Sequence, residues 1–236
     1  MKVTLLKHTA DAEKLAGVAA FTSCSPEGST ELMETKTKEQ CDKFLKRVLN
    51  YGHHSVIEHA SFTFSVEDIS RACTHQIVRH RIASYTQQSQ RYVKFKELGF
   101  VIPPTIKNNE EASKIYLESM EQASKAYEKL IESGIKPEDA RYVYPNASHT
   151  NIMITMNARA LLHFFSLRCC TRAQWEVRQV AELMLIEAKK IAPQLFEKAG
   201  ASCVHLEYCP EGSLGCGRYP SLKQLKEGAI KDANRN

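Results

Sequence analysis

Between Ala60 and Val66 the side chains alternate, with Phe62, Phe64 and Val66 on one face and Ser61, Thr63 and Ser65 on the other. A period of two fits a strand with one buried face. The neighbouring segments change period. Upstream, Thr37-Lys38-Glu39-Gln40 forms a capping box, Cys41, Phe44, Leu45, Val48 and Leu49 follow at helical spacing, and Gly52 closes the helix. Downstream, Asp68 is expected to cap a helix through Ile69, Ala72, Cys73, Gln76 and Ile77 that runs into Arg79.

The rest of the chain repeats the interleaving. Val3 to Leu6 reads as a short strand, Asp11 to Ala20 as a helix with an acidic cap, and Ser23 to Thr35 as a polar loop. A long helix is expected from Glu110 to Ile131, where Tyr116, Met120, Ala123, Tyr127 and Leu130 make an apolar stripe suited to core or subunit packing, and Gly134 ends it. Pro137 then opens a short helix carrying Arg141. Ile152 to Met156 reads as a strand and Asn157 as the cap of the next helix, on which Arg159, His163 and Ser166 form a polar stripe beside Leu161, Leu162 and Phe165. A last long helix runs through Val177, Val180, Ala181, Met184 and Ala188 to Pro193. The fold class is therefore α/β (α+β), a small mixed sheet flanked by several helices, with one domain over residues 1–200 and a Cys- and Gly-containing tail over 201–236 packed on it.

Composition limits the setting. No apolar run reaches the roughly 18 residues needed to span a bilayer, and the N-terminus lacks a signal-peptide core, so a cytoplasmic globule is expected. The net charge of +5 suits an anionic small molecule as well as it suits nucleic acid. Eight cysteines in a reducing compartment argue for thiols or a metal rather than a disulfide framework. Cys24, Cys41 and Cys73 are isolated and read as small buried hydrophobes.

Chemistry concentrates in Arg79-His80-Arg81-Ile82-Ala83-Ser84-Tyr85-Thr86-Gln87-Gln88-Ser89-Gln90-Arg91. Three consecutive titratable or cationic side chains cannot share one solvated face, and guanidinium forks suit phosphate or a planar carbonyl edge. Placed after a helix C-terminus, they are favoured by the dipole before any ligand arrives. Gln76, one turn earlier, lies on the same side. A second polar cluster is His53-His54-Ser55-Val56-Ile57-Glu58-His59, which lacks the His-x-x-x-His pair of a zinc protease; no metal is expected there, and a His53–Glu58 pair would close the loop.

Arg79-His80-Arg81, seven residues, then Ser89 and Arg91-Tyr92 resembles the signature of the flavin-dependent thymidylate synthases. Residues 53–59 resemble that family's His-Gly-His-x-[Thr/Ser]-x-x-Glu-His motif. Asn157-Ala158-Arg159, Leu167-Arg168 and Ala173-Gln174-Trp175-Glu176 match in order, so the resemblance covers roughly residues 40 to 195. It implies FAD contacts at Ser55, Glu58, Arg79, His80, Arg81, Gln87, Asn157, Arg159 and His163. It further implies dUMP contacts at Gln76, Arg79, Gln87, Ser89, Gln90, Arg91, Arg141 and Arg168, with Arg141 reaching a neighbouring subunit of a homotetramer. The implied reaction is reductive methylation of dUMP to dTMP, with methylenetetrahydrofolate as carbon donor and NADPH as reductant.

Methylating uracil at C5 requires either a thiolate added at C6 or stabilisation of negative charge spread from N3. Arg168 serves the second route and is the expected catalytic residue, with no cysteine nucleophile. Ser89 has no adjacent base and reads as a substrate contact. Thr86-Gln87 stands where the family often has Asn-Glu, His163 where some members have Asn, and Arg172 where some have His. The competing readings are a non-catalytic nucleotide- or RNA-binding protein, against which no RNA-binding motif appears, and a flavin reductase without methyl transfer. In the tail, Cys203, Cys209, Cys216 and His205 are enough in number for zinc, but their spacing lacks a close knuckle and free thiols are expected.

Overall fold

The computed structural model describes residues 1–92 and 99–233. Four strands, β1 (Lys2–His8), β2 (Ser61–Ser70), β3 (Ser84–Gln87) and β4 (His149–Asn157), form one sheet in the order β1-β2-β4-β3. The helices in chain order are α1 (Ala12–Thr22), α2 (Ser29–Thr35), α3 (Lys38–Asn50), α4 (Arg71–Ile77), α5 (Pro104–Lys107), α6 (Glu110–Glu132), α7 (Pro137–Ala140), α8 (Ala158–Arg168), α9 (Trp175–Ile191), α10 (Ser202–Leu206) and α11 (Leu222–Ala233), with 3₁₀ turns at His54–His59, Arg141–Val143 and Gly212–Leu214. No helix among the described residues is long and apolar enough to cross a membrane.

The alternation in β2 buries Phe62, Phe64 and Val66 completely. β2 and β4 run antiparallel: Ala158 N–H donates to Ala60 O at 2.7 Å at one end, and Arg71 N–H to Ser148 O at 3.1 Å at the other. Backbone proximity divides the chain into two compact units, residues 4–64 with 155–236 and residues 1–3 with 65–154, whose boundaries fall inside the strands.

In the unit of residues 4–64 and 155–236, α3 starts with the expected capping box: Gln40 N–H donates to Thr37 Oγ1 at 3.2 Å, and Thr37 N–H to Gln40 Oε1 at 2.9 Å. It ends at Gly52, φ +80°, with the paired Gly52-to-Leu49 and His53-to-Val48 bonds of a Schellman turn. α1 lies against α3 so closely that a Cβ on Gly17 would stand 2.4 Å from the Cys41 Cβ. Phe62 meets Phe196 edge-on at 5.3 Å, and Phe196 in turn meets Phe165 at 6.0 Å. Buried Glu13 accepts from Gln194 N–H at 2.7 Å and from Lys38 Nζ at 3.0 Å, so its carboxylate does not go unmatched.

In the unit of residues 1–3 and 65–154, α6 turns Met120 and Tyr127 inward. The Tyr127 and Tyr144 rings lie 4.5 Å apart, and burial, then the hydrogen bond to Tyr127, pushes the Tyr144 phenol well above its ordinary range.

Four local expectations are corrected. Asp11 makes no side-chain cap and sits at φ 44°. The loop expected over Ser23–Thr35 contains α2, whose Leu32 packs with Val18 and Cys41. Asp68 does not cap α4: β2 continues to Ser70, whose Oγ accepts from Cys73 N–H at 3.0 Å, and Asp68 sits at φ 56° with its N–H on Asn151 Oδ1. Cys24 is exposed, while Cys41 and Cys73 are buried as expected.

Candidate active site

In the unit of residues 65–154, α4 ends at Ile77 and delivers Arg79, His80 and Arg81 just past its C-terminus. The Tyr85 hydroxyl pins that turn, lying 3.0 Å from Ile77 O and 2.8 Å from His80 O. Arg79 and Arg81 are exposed and pair with no carboxylate among the described residues. Gln76 is part-buried one turn before them.

β3 then carries Gln87 inward. Its Nε2 donates to Thr74 Oγ1 at 2.9 Å and lies 3.3 Å from Thr150 Oγ1, both hydroxyls belonging to buried residues. Thr74 has already given its own proton to Arg71 O at 2.9 Å. A donor is therefore needed at position 87, which an amide supplies and an ionised carboxylate does not. The amide carbonyl is what Gln87 has left to offer a ligand.

The loop after β3 is tied at both ends. Gln88 N–H donates to Asn151 O at 2.9 Å, and Arg71 Nη2 donates to Gln88 O at 2.7 Å. Ser89 Oγ accepts from Arg91 N–H at 3.2 Å, while Gln90 is part-buried beside it. Arg91 pairs with Glu138 at 2.8 Å. Arg141 follows α7 rather than lying on it, opening the 3₁₀ turn, and its Nε donates to Glu138 O at 3.1 Å.

Arg71 is a residue that the motifs do not mark. Its Nε is buried without a hydrogen-bond partner among the described residues, and its pKa is lowered by burial and then by the charge of Arg141. Arg91 is thus paired with the Glu138 carboxylate, while Arg141 rests on the Glu138 backbone carbonyl and its charge is felt at Arg71, an excess of positive charge suited to a multiply charged anion. The sequence holds one signal for Arg71: a cation in the first turn of a helix, where the dipole disfavours it.

In the other unit, the 3₁₀ turn at His54–His59 buries Val56 and Ile57 and exposes Ser55 and Glu58. Glu58 pairs with Arg159 at 2.5 Å. Asn157 Oδ1 accepts from Ala160 N–H at 2.8 Å, which starts α8 as expected. One face of α8 then carries Arg159 and, a turn later, exposed His163. Ser55, Glu58, Asn157 and Arg159 are thereby brought together around the start of α8. Guanidinium, hydroxyl and carboxylate groups open to solvent are a donor and acceptor set that fits the phosphates and ribose hydroxyls of a dinucleotide.

Arg168 lies at the other end of α8, in the wall of a cavity of about 220 Å³ shared with Cys170, Arg172, Cys203, Cys209 and Glu211. Arg172 is paired with Glu211. Cys169 beside it is buried, and burial pushes its thiol up to about 12, so it stays protonated at any working pH. No three His, Cys, Asp or Glu side chains among the described residues stand together as metal ligands.

The family model described as thymidylate synthase complementing protein matches residues 4–194. A flavin-dependent thymidylate synthase of Clostridium tetani is 48% identical over 95% of this chain and 96% of its own. That of Geobacter sulfurreducens is 47% identical over 95% and 97%, and that of Pyrococcus abyssi 45% over 96% and 97%. Among solved structures, the UMP/dUMP methylase PolB from Streptomyces cacaoi, bound with 5-Br dUMP, is similar with a TM-score of 0.71 and 26% identity, over 83% of this chain and 93% of that one. With the family model spanning residues 4–194 and relatives near half identity over almost the full length, the chain belongs to the flavin-dependent thymidylate synthase family.

Proposed function

We propose that this chain methylates dUMP at C5 to give dTMP, taking the carbon from methylenetetrahydrofolate and the reducing equivalents from NADPH through FAD. The observation that carries the substrate is the trio Arg71, Arg91 and Arg141 beside the 87–91 loop, of which only Arg91 is paired with a carboxylate, that of Glu138, while Arg141 and Arg71 rest on the backbone carbonyls of Glu138 and Gln88 and the charge of Arg141 is felt at Arg71. A nucleotide phosphate supplies the missing negative charge, and the buried Arg71 Nε gains an acceptor. The bromo-dUMP bound by the Streptomyces methylase supports the same ligand class here.

When bound, FAD supplies the hydride that reduces the transferred carbon to a methyl group. Ser55, Glu58, Arg79, His80, Arg81, Gln87, Asn157, Arg159 and His163 are the residues that would hold it. Gln76, Arg79, Gln87, Ser89, Gln90, Arg91 and Arg141 join Arg168 on dUMP. Arg168 holds a uracil carbonyl edge with its fork of donors and favours loss of the N3 proton, which leaves negative charge on the ring and makes C5 nucleophilic. No thiolate is required, in keeping with the protonated state of Cys169.

A cytoplasmic homotetramer is the setting of this reading, with subunits sharing sites. Large apolar side chains left exposed, including Ile82 at 76% and Tyr142 at 84%, support such an assembly.

Tritium release from C5-labelled dUMP, with folate donor and NADPH, tests the activity. Release that depends on all three substrates is expected. A yellow protein that oxidises NADPH without releasing tritium is a flavin reductase and overturns the proposal.

A further inference from the structure

Cys203, Cys209 and Cys216 lie beyond residue 194, where the family model stops, and the fold returns all three to Cys170 at the end of α8. The four cysteines line one small cavity of about 20 Å³ with Thr171 and Arg218. Cys170, Cys203 and Cys209 also line the larger cavity that holds Arg168. The loop that brings Cys216 back is tightly built: Gly212 and Gly217 sit at φ +56° and +82°, and a Cβ on Gly215 would stand 3.0 Å from Cys209 Sγ. Cys216 is exposed and lines the same small cavity as Thr171, the residue after Cys170.

We propose that Cys216 is a peroxide-reactive thiol and Cys170 its resolving partner, so that oxidation closes a reversible disulfide between the 212–218 loop and the end of α8 and lowers methylation. The four thiols are not equivalent. Cys203 and Cys209 are buried, and burial raises the Cys203 thiol. Cys170 is part-buried, while Cys216 is open to solvent. The Thr171 hydrogen bond first, then the Arg218 backbone N–H, hold the Cys216 thiol below its ordinary range. An accessible thiol whose ionisation is favoured, with a second thiol lining the same cavity, is the arrangement of a redox-sensing cysteine.

The chemistry balances with one peroxide. The Cys216 thiolate attacks one peroxide oxygen, the O–O bond breaks, and the departing oxygen takes a proton and leaves as water. The resulting sulfenic acid is attacked at sulfur by Cys170, the S–S bond forms, and the hydroxyl leaves as a second water with the Cys170 proton. Two thiols lose two electrons and two protons in total, and a dithiol returns them by exchange. A reduced flavin exposed to dioxygen yields hydrogen peroxide, so the oxidant arises where this enzyme works. The disulfide would fasten the loop two residues from Arg168. Its effect on turnover rests on the role proposed for Arg168, while its formation does not.

The test uses the full-length, FAD-loaded protein treated with hydrogen peroxide. The expected result is loss of two free thiols per chain, a Cys170–Cys216 cross-linked peptide by mass spectrometry, a fall in tritium release, and recovery of both with dithiothreitol. Cys216→Ser should keep the turnover of untreated protein and lose both the cross-link and the peroxide sensitivity. Linkage of Cys216 to Cys203 or Cys209, a cross-link without loss of turnover, or near-stoichiometric zinc in protein purified without chelator would each overturn the proposal. Failure of the underlying methylation reading shows separately, as absence of tritium release from reduced, untreated protein.

Discussion

At position 87 the chain carries an amide, and the hydrogen bonds to Thr74 and Thr150 show why a donor is needed there. Gln87→Glu would set a carboxylate against a hydroxyl whose proton is already committed to Arg71 O. We expect a loss of about 1–3 kcal/mol in stability, read by denaturant unfolding, and Thr74→Val should be less damaging when combined with Gln87→Glu than in the parent. Arg71→Met should raise the KM for dUMP about tenfold or more with FAD still bound, because a charge-assisted hydrogen bond to the nucleotide is lost. An unchanged KM would remove Arg71 from the anion site. Arg168→Ala should abolish methylation while leaving FAD bound, a loss of about 3 kcal/mol or more in transition-state stabilisation. Near-normal kcat in that variant would refute the uracil-activating role. Motif spacing marks Arg168, since Leu167-Arg168 is a local pattern. The grouping of Arg71 with Arg91 and Arg141 is not legible in the same way, because it depends on Arg91 reaching Glu138 and Arg71 reaching Gln88 O across a fold that no local pattern encodes.

Elements whose signals are self-contained read correctly from the sequence. The Thr37 capping box, the Asn157 cap and the Gly134 terminus are each local hydrogen-bond arrangements, and all three stand where the residue types place them. α2 escaped because seven residues with one buried side chain, Leu32, show no period; its helix is held by packing on Val18 and Cys41. Around Asp68 two signals overlapped. An acidic residue before a helical pattern is a fair cap, but Ser70 sits nearer the helix and takes the role, leaving Asp68 to bend the strand. Asn157 is both a cap and a proposed FAD contact, and two variants separate the roles. Asn157→Ala should cost about 1 kcal/mol in thermal stability, while Asn157→Asp keeps the cap and reveals any separate effect on FAD affinity. Equal stability of the parent and Asn157→Ala would show that the cap contributes nothing.

At the scale of the molecule, light scattering should report a tetramer, and a fully active monomer would overturn the shared-site reading. The tail beyond residue 200 bears on stability through its own contacts: Ser202 Oγ donates to Ser166 O at 3.1 Å, and Arg172 pairs with Glu211. Truncation after Gly200 should therefore lower the melting temperature more than it lowers turnover per folded molecule; a folded, FAD-loaded truncate without methyl transfer would put the tail in the active site. The edge-on contact of Phe62 with Phe196 has a further consequence for how the protein is born. Phe62 leaves the ribosome long before its partner exists, and at about 5–20 residues per second the wait lasts roughly 7–27 seconds. During that interval the apolar face of β2 has no Phe196 to cover it. A stalled nascent chain ending short of Phe196 should be held by chaperones and cut readily by protease, and resistance should appear only once that ring has cleared the exit tunnel.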